Sequence, residues 1–273
     1  MKNILFFTAF IICFQLSAQR KPKIKGSRIV TDVQQNLSPF HTIELNDDIE
    51  VRLRKAPQPG YAITADDNLI DVLKFEVKDS VLVISSFYTI TGKKKLDITV
   101  NYTDIDALNL SNGDIRMDGP VVTDELKVKM ADAAKLQLNA EANRIEITMD
   151  GKSSGDFTLT GDTMDFVLNG RADARIYTIS GTNDLKIYRN AGAIMEGTVD
   201  TFNATLLDNT SLKGERLEAD MVFLKVQNSA SAKVQVNSKI ELTASGSSKT
   251  YVHGDGEIEL VEFSDTSELH REK

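Results

Sequence analysis

The chain of 273 residues contains no tryptophan and a single cysteine, Cys13. Cys13 lies inside an apolar run at residues 4–14, which we predict to be removed with a signal peptide. The remaining chain then has no thiol, which excludes disulfides, cysteine nucleophiles and cysteine metal ligands together. The sequence also lacks an H-x-x-x-H zinc pair, a G-x-S-x-G elbow and a phosphate-binding glycine loop, so the common catalytic motifs are missing.

Histidine is scarce as well, with His41, His253 and His270 as the three representatives. They lie far apart in sequence and in different predicted elements, so we interpret each as an ordinary surface or edge residue. From these absences we predict no catalytic residues, no metal ligands and no cofactor. The sequence assigns no ligand-binding residues.

The sequence contains fewer basic than acidic residues, with 32 Lys and Arg against 40 Asp and Glu, which gives a formal net charge of −8 at pH 7. A moderately acidic surface argues against nucleic acid as a partner and against broad docking on an anionic membrane. After the apolar run near the N-terminus, no segment is long and apolar enough to be a transmembrane helix. We therefore predict a mature chain without a transmembrane segment.

The N-terminus has the pattern of a secretory signal peptide. A short positive region precedes the apolar run at residues 4–14, and small residues offer cleavage near Ala18 or Gln19. A lipoprotein signal would use Cys13, but the residue before it is not small. We predict export through a cleaved signal peptide, followed by a periplasmic, outer-membrane-associated or extracellular location.

Alternating apolar and polar residues are abundant, and between Asp104 and Gly256 they recur with a period near twenty residues. In each repeat two apolar residues flank one polar residue, as in Ile145-Glu146-Ile147, and a turn of Asn, Asp, Ser or Gly follows. An α-helix would need apolar residues at steps of three and four, which do not recur. The second apolar residue of successive repeats is Leu110, Val128, Ile147, Phe166, Ile187, Leu206, Val226 and Leu242.

Short alternating strands at a fixed period predict an all-β fold, a parallel β-helix or β-solenoid of about eight repeats. We expect a right-handed coil, because parallel crossovers are overwhelmingly right-handed. The short strands before residue 104 follow another pattern and predict a small β-rich cap, with a short helix that Asp66 would cap. The predicted boundaries are a signal peptide at 1–19, a basic linker at 20–38, the β-rich N-terminal cap at 39–103, the β-solenoid repeats at 104–262 and a polar tail at 263–273.

Three carboxylates, Asp132, Asp150 and Asp208, fall near one corner of the predicted repeats. Enzymes that cleave acidic polysaccharides on parallel β-helices use Asp clusters and Ca²⁺, so a cation or catalytic role is one hypothesis. The other interpretation is turn formation, because Asn and Ser occupy the same corner elsewhere and Ca²⁺ needs six to eight converging oxygens. We interpret Ser245-Gly246-Ser247-Ser248 as turn chemistry. Lys93-Lys94-Lys95 is either a solvated turn or a grip for phosphate or sulfate.

Several segments follow one another in a recognisable order: residues 40–45 (FHTIEL) with 49–51 (IEV), 66–70 (DDNLI), 82–85 (LVIS) and 108–115 (LNLSNGDI). Their order resembles the head GIN domain of putative auto-transporter adhesins, a family of unknown function common in Bacteroidota. In residues 108–115, Asn112 stands where the family pattern usually has Gly or Ser, and the loop is one residue shorter. The resemblance covers roughly residues 39–255 and implies a β-helical secreted or envelope protein.

We therefore predict a secreted or envelope-associated, non-enzymatic β-solenoid with an adhesin-like binding or scaffolding role. Its partner would be a cell-surface carbohydrate or an envelope protein. Two alternatives remain, a polysaccharide-degrading lyase or hydrolase on the same fold and a periplasmic scaffold without an external ligand. An enzyme should show a local cluster of carboxylates with a Lys or Arg on one face, whereas a binding protein should show a surface that follows the repeat.

Overall fold

The computed structural model describes residues 21–272, so the predicted signal peptide at 1–19 lies outside the described residues. The described chain is almost entirely β-structure, as predicted. No helix in this part of the protein is long and apolar enough to span a bilayer. The elements are β1 Lys23–Lys25, β2 Val30–Asn36, β3 Thr42–Leu45, β4 Glu50–Lys55, β5 Gly60–Asp66, α1 Asp67–Ile70, β6 Leu73–Lys78, β7 Val81–Ser86, β8 Thr89–Gly92, β9 Leu96–Tyr102, β10 Ala107–Leu110, β11 Asp114–Asp118, β12 Val121–Met130, β13 Lys135–Met149, β14 Ser154–Leu168, β15 Asp173–Ile187, β16 Gly192–Leu206, β17 Ser211–Val226, β18 Ser231–Ala244, β19 Lys249–His253, β20 Glu257–Phe263 and β21 Glu268–Arg271.

The strands wind into a parallel β-solenoid of about nine coils, which confirms the predicted fold and adds one coil to the predicted eight. From β13 to β18 each coil is one long strand that pairs in parallel with the next. We call face A the outward side of β4, β9, β11, β19, β21 and the first halves of β13–β18. Face B is the outward side of β3, β7, β10, β12, β20 and the second halves of β13–β18.

The interior is a stack of apolar columns, because every second residue of a strand points inward. All the apolar residues predicted as core are buried, and Ile147 and Val226 are 1% and 0% exposed. The predicted register between coils was wrong at three steps, where the true partners are Leu108 with Val128, Phe166 with Leu185 and Leu224 with Leu242. Each error is a slip of two residues, which leaves the side chain on the same face of the strand.

The parallel ladder begins well before residue 104. Strand β3 pairs in parallel with both β10 and β7, and β4 pairs in parallel with both β11 and β9. Two coils of the solenoid therefore lie within the region that we assigned to the cap. Antiparallel strands then close this end, because β5 and β2 continue from β9 while β6 pairs with β7.

The predicted basic linker and the predicted polar tail also contain β-strands. In the predicted basic linker, β1 pairs with β8 and β2 pairs with β5. In the predicted polar tail, β21 pairs in parallel with β19. The predicted helix is present as α1 with Asp66 at its N-cap position, but the Asp66 side chain makes no capping hydrogen bond.

From β10 to β21, one corner of each coil is built around a residue with positive φ. Glycine or a short Asx side chain suits this conformation best, and Arg189 is the exception. The spacing of 18 to 20 residues stacks these positions on one another along the solenoid. The residues are Gly113, Asp132, Gly151, Gly170, Arg189, Asp208, Asn228, Gly246 and Asp265.

Candidate functional site

An open groove with a volume of about 380 Å³ lies on face A of the solenoid. It crosses the five neighbouring strands β11, β13, β14, β15 and β16, which places its ends roughly 19 Å apart at about 4.8 Å per strand. Six charged side chains define what we call the face A groove: Asp114, Arg116, Lys135, Asp156, Asp173 and Arg175.

Small residues form the floor of the face A groove. The inward column that starts at Leu136 continues through Gly155, Ala174 and Ala193, so three successive coils carry little side-chain volume there. The Phe157 ring fills the space beneath Gly155, where a Cβ would stand 2.1 Å from Phe157 Cζ. Residue 155 is therefore restricted to glycine as long as the ring keeps its place.

Opposite charges alternate across the ladder of the groove. Asp114 is the in-register partner of Lys135, and Asp156 is the partner of Arg175. Parallel strands place in-register side chains of one face next to each other, so each of these carboxylates has a cation beside it. The groove therefore offers hydrogen-bond donors and acceptors in alternation rather than a field of one sign.

The six charged side chains of the groove differ in whether they form hydrogen bonds or ion pairs. Arg116 lies 3.3 Å from Asp114 and 3.6 Å from Glu50, and the hydrogen bond that Arg116 donates to Asp114 raises the pKa of Arg116. Within residues 21–272, no hydrogen bond or ion pair engages the other four charged side chains that are central to the groove, and all are exposed. These four are Lys135, Asp156, Asp173 and Arg175.

An aromatic side chain borders the groove. Tyr177 follows Arg175 by two residues on the same face of β15, and it is 46% exposed. Further along face A, the Tyr251 ring stacks on His270 with ring centroids 4.8 Å apart. Face A thus carries exposed or stacked aromatic rings beside its polar side chains.

The histidines do not form a metal site in the described part of the chain. His41 and His270 are exposed, and His253 is half-buried. The pairing of β19 with β21 places His270 beside Tyr251, which precedes His253 by two residues on β19. His253 and His270 are therefore closer in the structure than their separation in sequence indicated. Across residues 21–272, no group of three or more His, Cys, Asp or Glu side chains is arranged to hold a metal ion.

The corner carboxylates take turn positions. Asp132 and Asp208 have φ values of 49° and 69°, and Asp150 Oδ1 accepts the N–H of Gly151 at 2.6 Å. Four coils separate Asp132 from Asp208, which corresponds to roughly 19 Å along the solenoid. They cannot share one ion, because a protein–Ca²⁺ contact is only about 2.3–2.6 Å long.

The other two candidate segments have structural partners. Gly246 has a φ of 75° at the corner of its coil, and Ser247 Oγ lies 3.0 Å from Thr266 Oγ1 in the next coil. The backbone N–H groups of Lys94 and Lys95 donate to the Asp66 carboxylate. The lysine run is therefore a turn that two backbone hydrogen bonds hold in place, and its three side chains are exposed to solvent.

Sequence reasoning missed the face A groove. Its six charged residues come from four strands, and no short motif connects them. One signal was present in the sequence, since Gly155 interrupts the inward apolar column that Leu136 begins. A glycine at an inward strand position often marks a bend or a close approach.

Comparisons with known proteins support the same fold. A putative adhesin from Parabacteroides distasonis aligns with a TM-score of 0.68 and 14% identity, covering 91% of this chain and 99% of that one. A putative adhesin from Parabacteroides merdae gives 0.64 and 15%, with 92% and 100% covered. A putative lipid binding protein from Parabacteroides distasonis gives 0.60 and 16%, with 92% and 100% covered. At these identities the likeness concerns the fold alone.

Sequence comparison shows the family. No curated protein matches the chain. The family model described as putative auto-transporter adhesin, head GIN domain, matches residues 39–256. This match covers the solenoid from β3 to the start of β20 and includes the whole face A groove. The chain therefore belongs to the family of putative auto-transporter adhesins with a head GIN domain.

Proposed function

We propose that the protein is a non-enzymatic binding protein of the cell envelope and that it holds a polar glycan in the face A groove. The observation that carries this proposal is the set of four exposed charges, Lys135, Asp156, Asp173 and Arg175, that no neighbouring side chain engages within residues 21–272. Their positions are fixed by the parallel ladder, so they are held apart and ready to bind before a ligand arrives.

The chemistry of the groove suits a chain of sugars. Carboxylates accept hydrogen bonds from hydroxyl groups, while lysine and arginine donate to ring, hydroxyl and carboxylate oxygens. Tyr177 adds an exposed ring at the border, against which the apolar face of a sugar could pack. The mixed charge disfavours a uniform polyanion such as nucleic acid.

The enzyme alternative has one feature in its favour, since the groove gathers Asp114, Asp156 and Asp173 with cations on one face. A general acid, however, needs a carboxyl group whose pKa is raised by burial or by a neighbouring negative charge. Asp156 is exposed, and its in-register neighbour is the cation Arg175, so it has neither the burial nor the negative neighbour that a general acid needs. This geometry supports binding over hydrolysis or elimination.

A lipid ligand, which the neighbour from Parabacteroides distasonis suggests by its name, fits the groove less well. An acyl chain needs an enclosed apolar cavity, whereas the face A groove is open and lined by charged side chains. The interior of the solenoid is filled with apolar side chains along its length. We favour a polar ligand for this reason.

Export to the cell envelope is part of the proposal. The N-terminal sequence has the pattern of a cleaved signal peptide, and the family is one of putative adhesins. A binding role at the envelope explains both observations. Fractionation of native cells, combined with protease treatment of intact cells, tests the location directly.

Titration calorimetry with defined oligosaccharides tests the binding role. The panel comprises acidic uronic-acid oligomers, amino-sugar oligomers and neutral glucose oligomers. At least one class should bind, and the double variant Asp156→Ala/Arg175→Ala should lose tenfold or more in affinity. The matched control is Lys225→Ala, which removes an exposed charge from face B.

Two results would contradict the proposal. One is that no oligosaccharide class binds, or that the groove variant binds as tightly as the parent and the Lys225→Ala control. The other is the appearance of new reducing ends or unsaturated products when the protein is incubated with polysaccharide, which would establish the enzyme instead.

A further inference from the structure

Exposed apolar side chains concentrate at the two ends of the solenoid. Of the ten large hydrophobic residues that are exposed in the described chain, six lie at an end and four on the sides. Exposed apolar groups that cluster in this way mark interaction sites more often than scattered ones do. The six are Ile29, Val30 and Phe87 at the N-terminal end and Leu260, Val261 and Phe263 at the C-terminal end.

At the C-terminal end, core columns lie open to solvent. Leu260 continues the column of Leu242, and Phe263 continues that of Ala244. Leu242 and Ala244 are completely buried, whereas Leu260 and Phe263 are 49% and 40% exposed, because no further coil covers them in the described chain. These partly exposed core positions form an apolar surface like that of a subunit interface, which a second molecule stacked on this end would cover.

The same end is strongly acidic. Residues 254–272 contain seven acidic side chains and one arginine, Arg271. Two copies that met through this end would bring like charges together, which is destabilising. A bulge at Val261 also interrupts the outer edge of β20, so it hinders continuous strand pairing there. The acidic residues are Asp255, Glu257, Glu259, Glu262, Asp265, Glu268 and Glu272.

The N-terminal end carries a basic patch, although the region of α1 and β6 at the same end adds the exposed Asp67, Asp71, Glu76 and Asp79. Strand β1 and the residues around it contribute Lys21, Lys23, Lys25 and Arg28, and the turn after β8 contributes the lysine run at 93–95. Strand β8 connects β7 to β9 in the first coil and pairs with β1, so both basic segments lie at this end. Lys23 and Lys25 are exposed and form no ion pair within residues 21–272.

We propose that the solenoid associates head to tail with a second copy of itself, so that the acidic C-terminal end of one copy lies on the basic N-terminal end of the next. Charge complementarity selects this pairing over the two like-charged alternatives. Removal of the exposed apolar side chains from water adds affinity that does not depend on charge. The contact is heterologous, so it does not close on itself and permits chains of more than two copies.

Such an assembly would repeat the face A groove along a common axis. Copies that bind the same extended ligand would then do so with a gain in avidity that needs no new contact within a groove. The end-to-end contact is nevertheless independent of the ligand. It can be tested on purified protein without any glycan.

Sedimentation velocity over a wide range of protein concentration tests the association. We expect species larger than a monomer whose fraction increases with concentration and falls at 1 M salt, where the Debye length shrinks to about 3 Å. A protein that stays monomeric at the highest soluble concentration and lowest salt would overturn the proposal.

Charge reversal identifies the surfaces. Glu257→Lys/Glu262→Lys changes the net charge of residues 254–272 from −6 to −2, and Lys23→Glu/Lys25→Glu places two carboxylates in the basic patch of the N-terminal end. All four residues are exposed and lack an ion-pair partner within residues 21–272, so both variants should unfold at the same temperature as the parent. Each variant alone should be monomeric at concentrations where the parent associates, because one of the two contacting ends is altered. An equimolar mixture should form dimers again, because the unaltered N-terminal end of the first variant meets the unaltered C-terminal end of the second. Association of either variant alone, or failure of the mixture to associate, would contradict a head-to-tail contact.

Discussion

The carboxylate of Asp66 accepts the backbone N–H of Lys94 at 3.0 Å, although 28 residues separate the two in sequence. The N–H groups of Lys95 and Arg28 donate to the same side chain at 3.1 and 3.3 Å. Asp66 has no solvent exposure as a residue, so its carboxylate depends on these three donors. One side chain thus ties the N-terminal segment and the lysine turn to the end of β5.

This arrangement predicts that stability depends on the charge of Asp66. The hydrogen bond from Lys94 lowers the pKa of Asp66 most, Lys95 and Arg28 add to it, and burial acts in the opposite direction. A lowered pKa stabilises the native state at pH values above 3.8, the ordinary value, and this stabilisation disappears as the pH falls through the lowered pKa. Asp66→Asn should therefore lower the melting temperature at pH 7, and its difference from the parent should shrink below about pH 4.

Thermal unfolding followed by circular dichroism across this pH range measures the effect. Asp71→Asn is the matched control, since it removes an exposed carboxylate on the same part of the chain. An Asp66→Asn variant whose melting temperature matches the parent at pH 7 would show that the charge of Asp66 contributes nothing to stability.

The periodic part of the fold could be predicted because side-chain alternation is a local property. A strand such as Ile145-Glu146-Ile147 indicates its inward face without reference to any other part of the chain. Register is a relation between coils, and a slip of two residues changes neither face nor burial. The pairing of Phe166 with Leu185 instead of Ile187 was therefore hidden from a pattern of apolar residues.

Neither the start of the solenoid nor the face A groove could be predicted, and the reason is related. Strand β3 lies more than sixty residues before its partner β10, and the antiparallel strands between them break the period. The face A groove depends on which outward side chains adjacent coils bring together, as with Asp156 and Arg175. Outward positions carry no hydrophobic signal, so alternation alone does not reveal them.

Burial of the central core predicts a severe effect for Ile147→Asp. Ile147 is 1% exposed and lies between Val128 and Phe166 in the adjacent coils. An unpaired carboxylate at this position should lower the free energy of unfolding by roughly 3–5 kcal/mol. Urea denaturation measures the change, and Thr148→Asp, at the next and exposed position, should stay close to the parent. Equal stability of the two variants would mean that the inward and outward faces of β13 are assigned wrongly.

The corner column predicts a stabilising substitution at Arg189. Its φ of 65° places a long side chain in a conformation that glycine adopts at four other positions of the column, Gly113, Gly151, Gly170 and Gly246. The backbone strain energy that glycine relieves exceeds the additional conformational entropy that glycine loses on folding. Arg189→Gly should therefore raise the free energy of unfolding by about 0.5–1 kcal/mol. Arg171→Gly is the control, because Arg171 lies at a neighbouring corner without a positive φ and should lose stability. A loss of stability in both variants would refute the strain at Arg189.

A pair of glycines separates backbone strain from steric overlap. Gly197 and Gly119 have similar φ values of 111° and 104°, so alanine should cost each about 1–2 kcal/mol in backbone strain. The surroundings differ, because a Cβ at Gly197 would stand 2.0 Å from the Thr178 carbonyl oxygen in the adjacent coil, whereas a Cβ at Gly119 would meet nothing within 4 Å. Gly197→Ala must therefore push two coils apart, which adds about 1–3 kcal/mol.

Urea denaturation of the two alanine variants gives the difference directly, since the backbone term is common to both. Gly197→Ala should unfold at a clearly lower urea concentration than Gly119→Ala, with the same dependence on denaturant. Hydrogen exchange should locate the added opening in β15 and β16, the strands that meet at Thr178 and Gly197. Identical losses in the two variants would mean that the coils can separate at this point without cost, and that the tight stacking of β15 on β16 does not limit the stability of the solenoid.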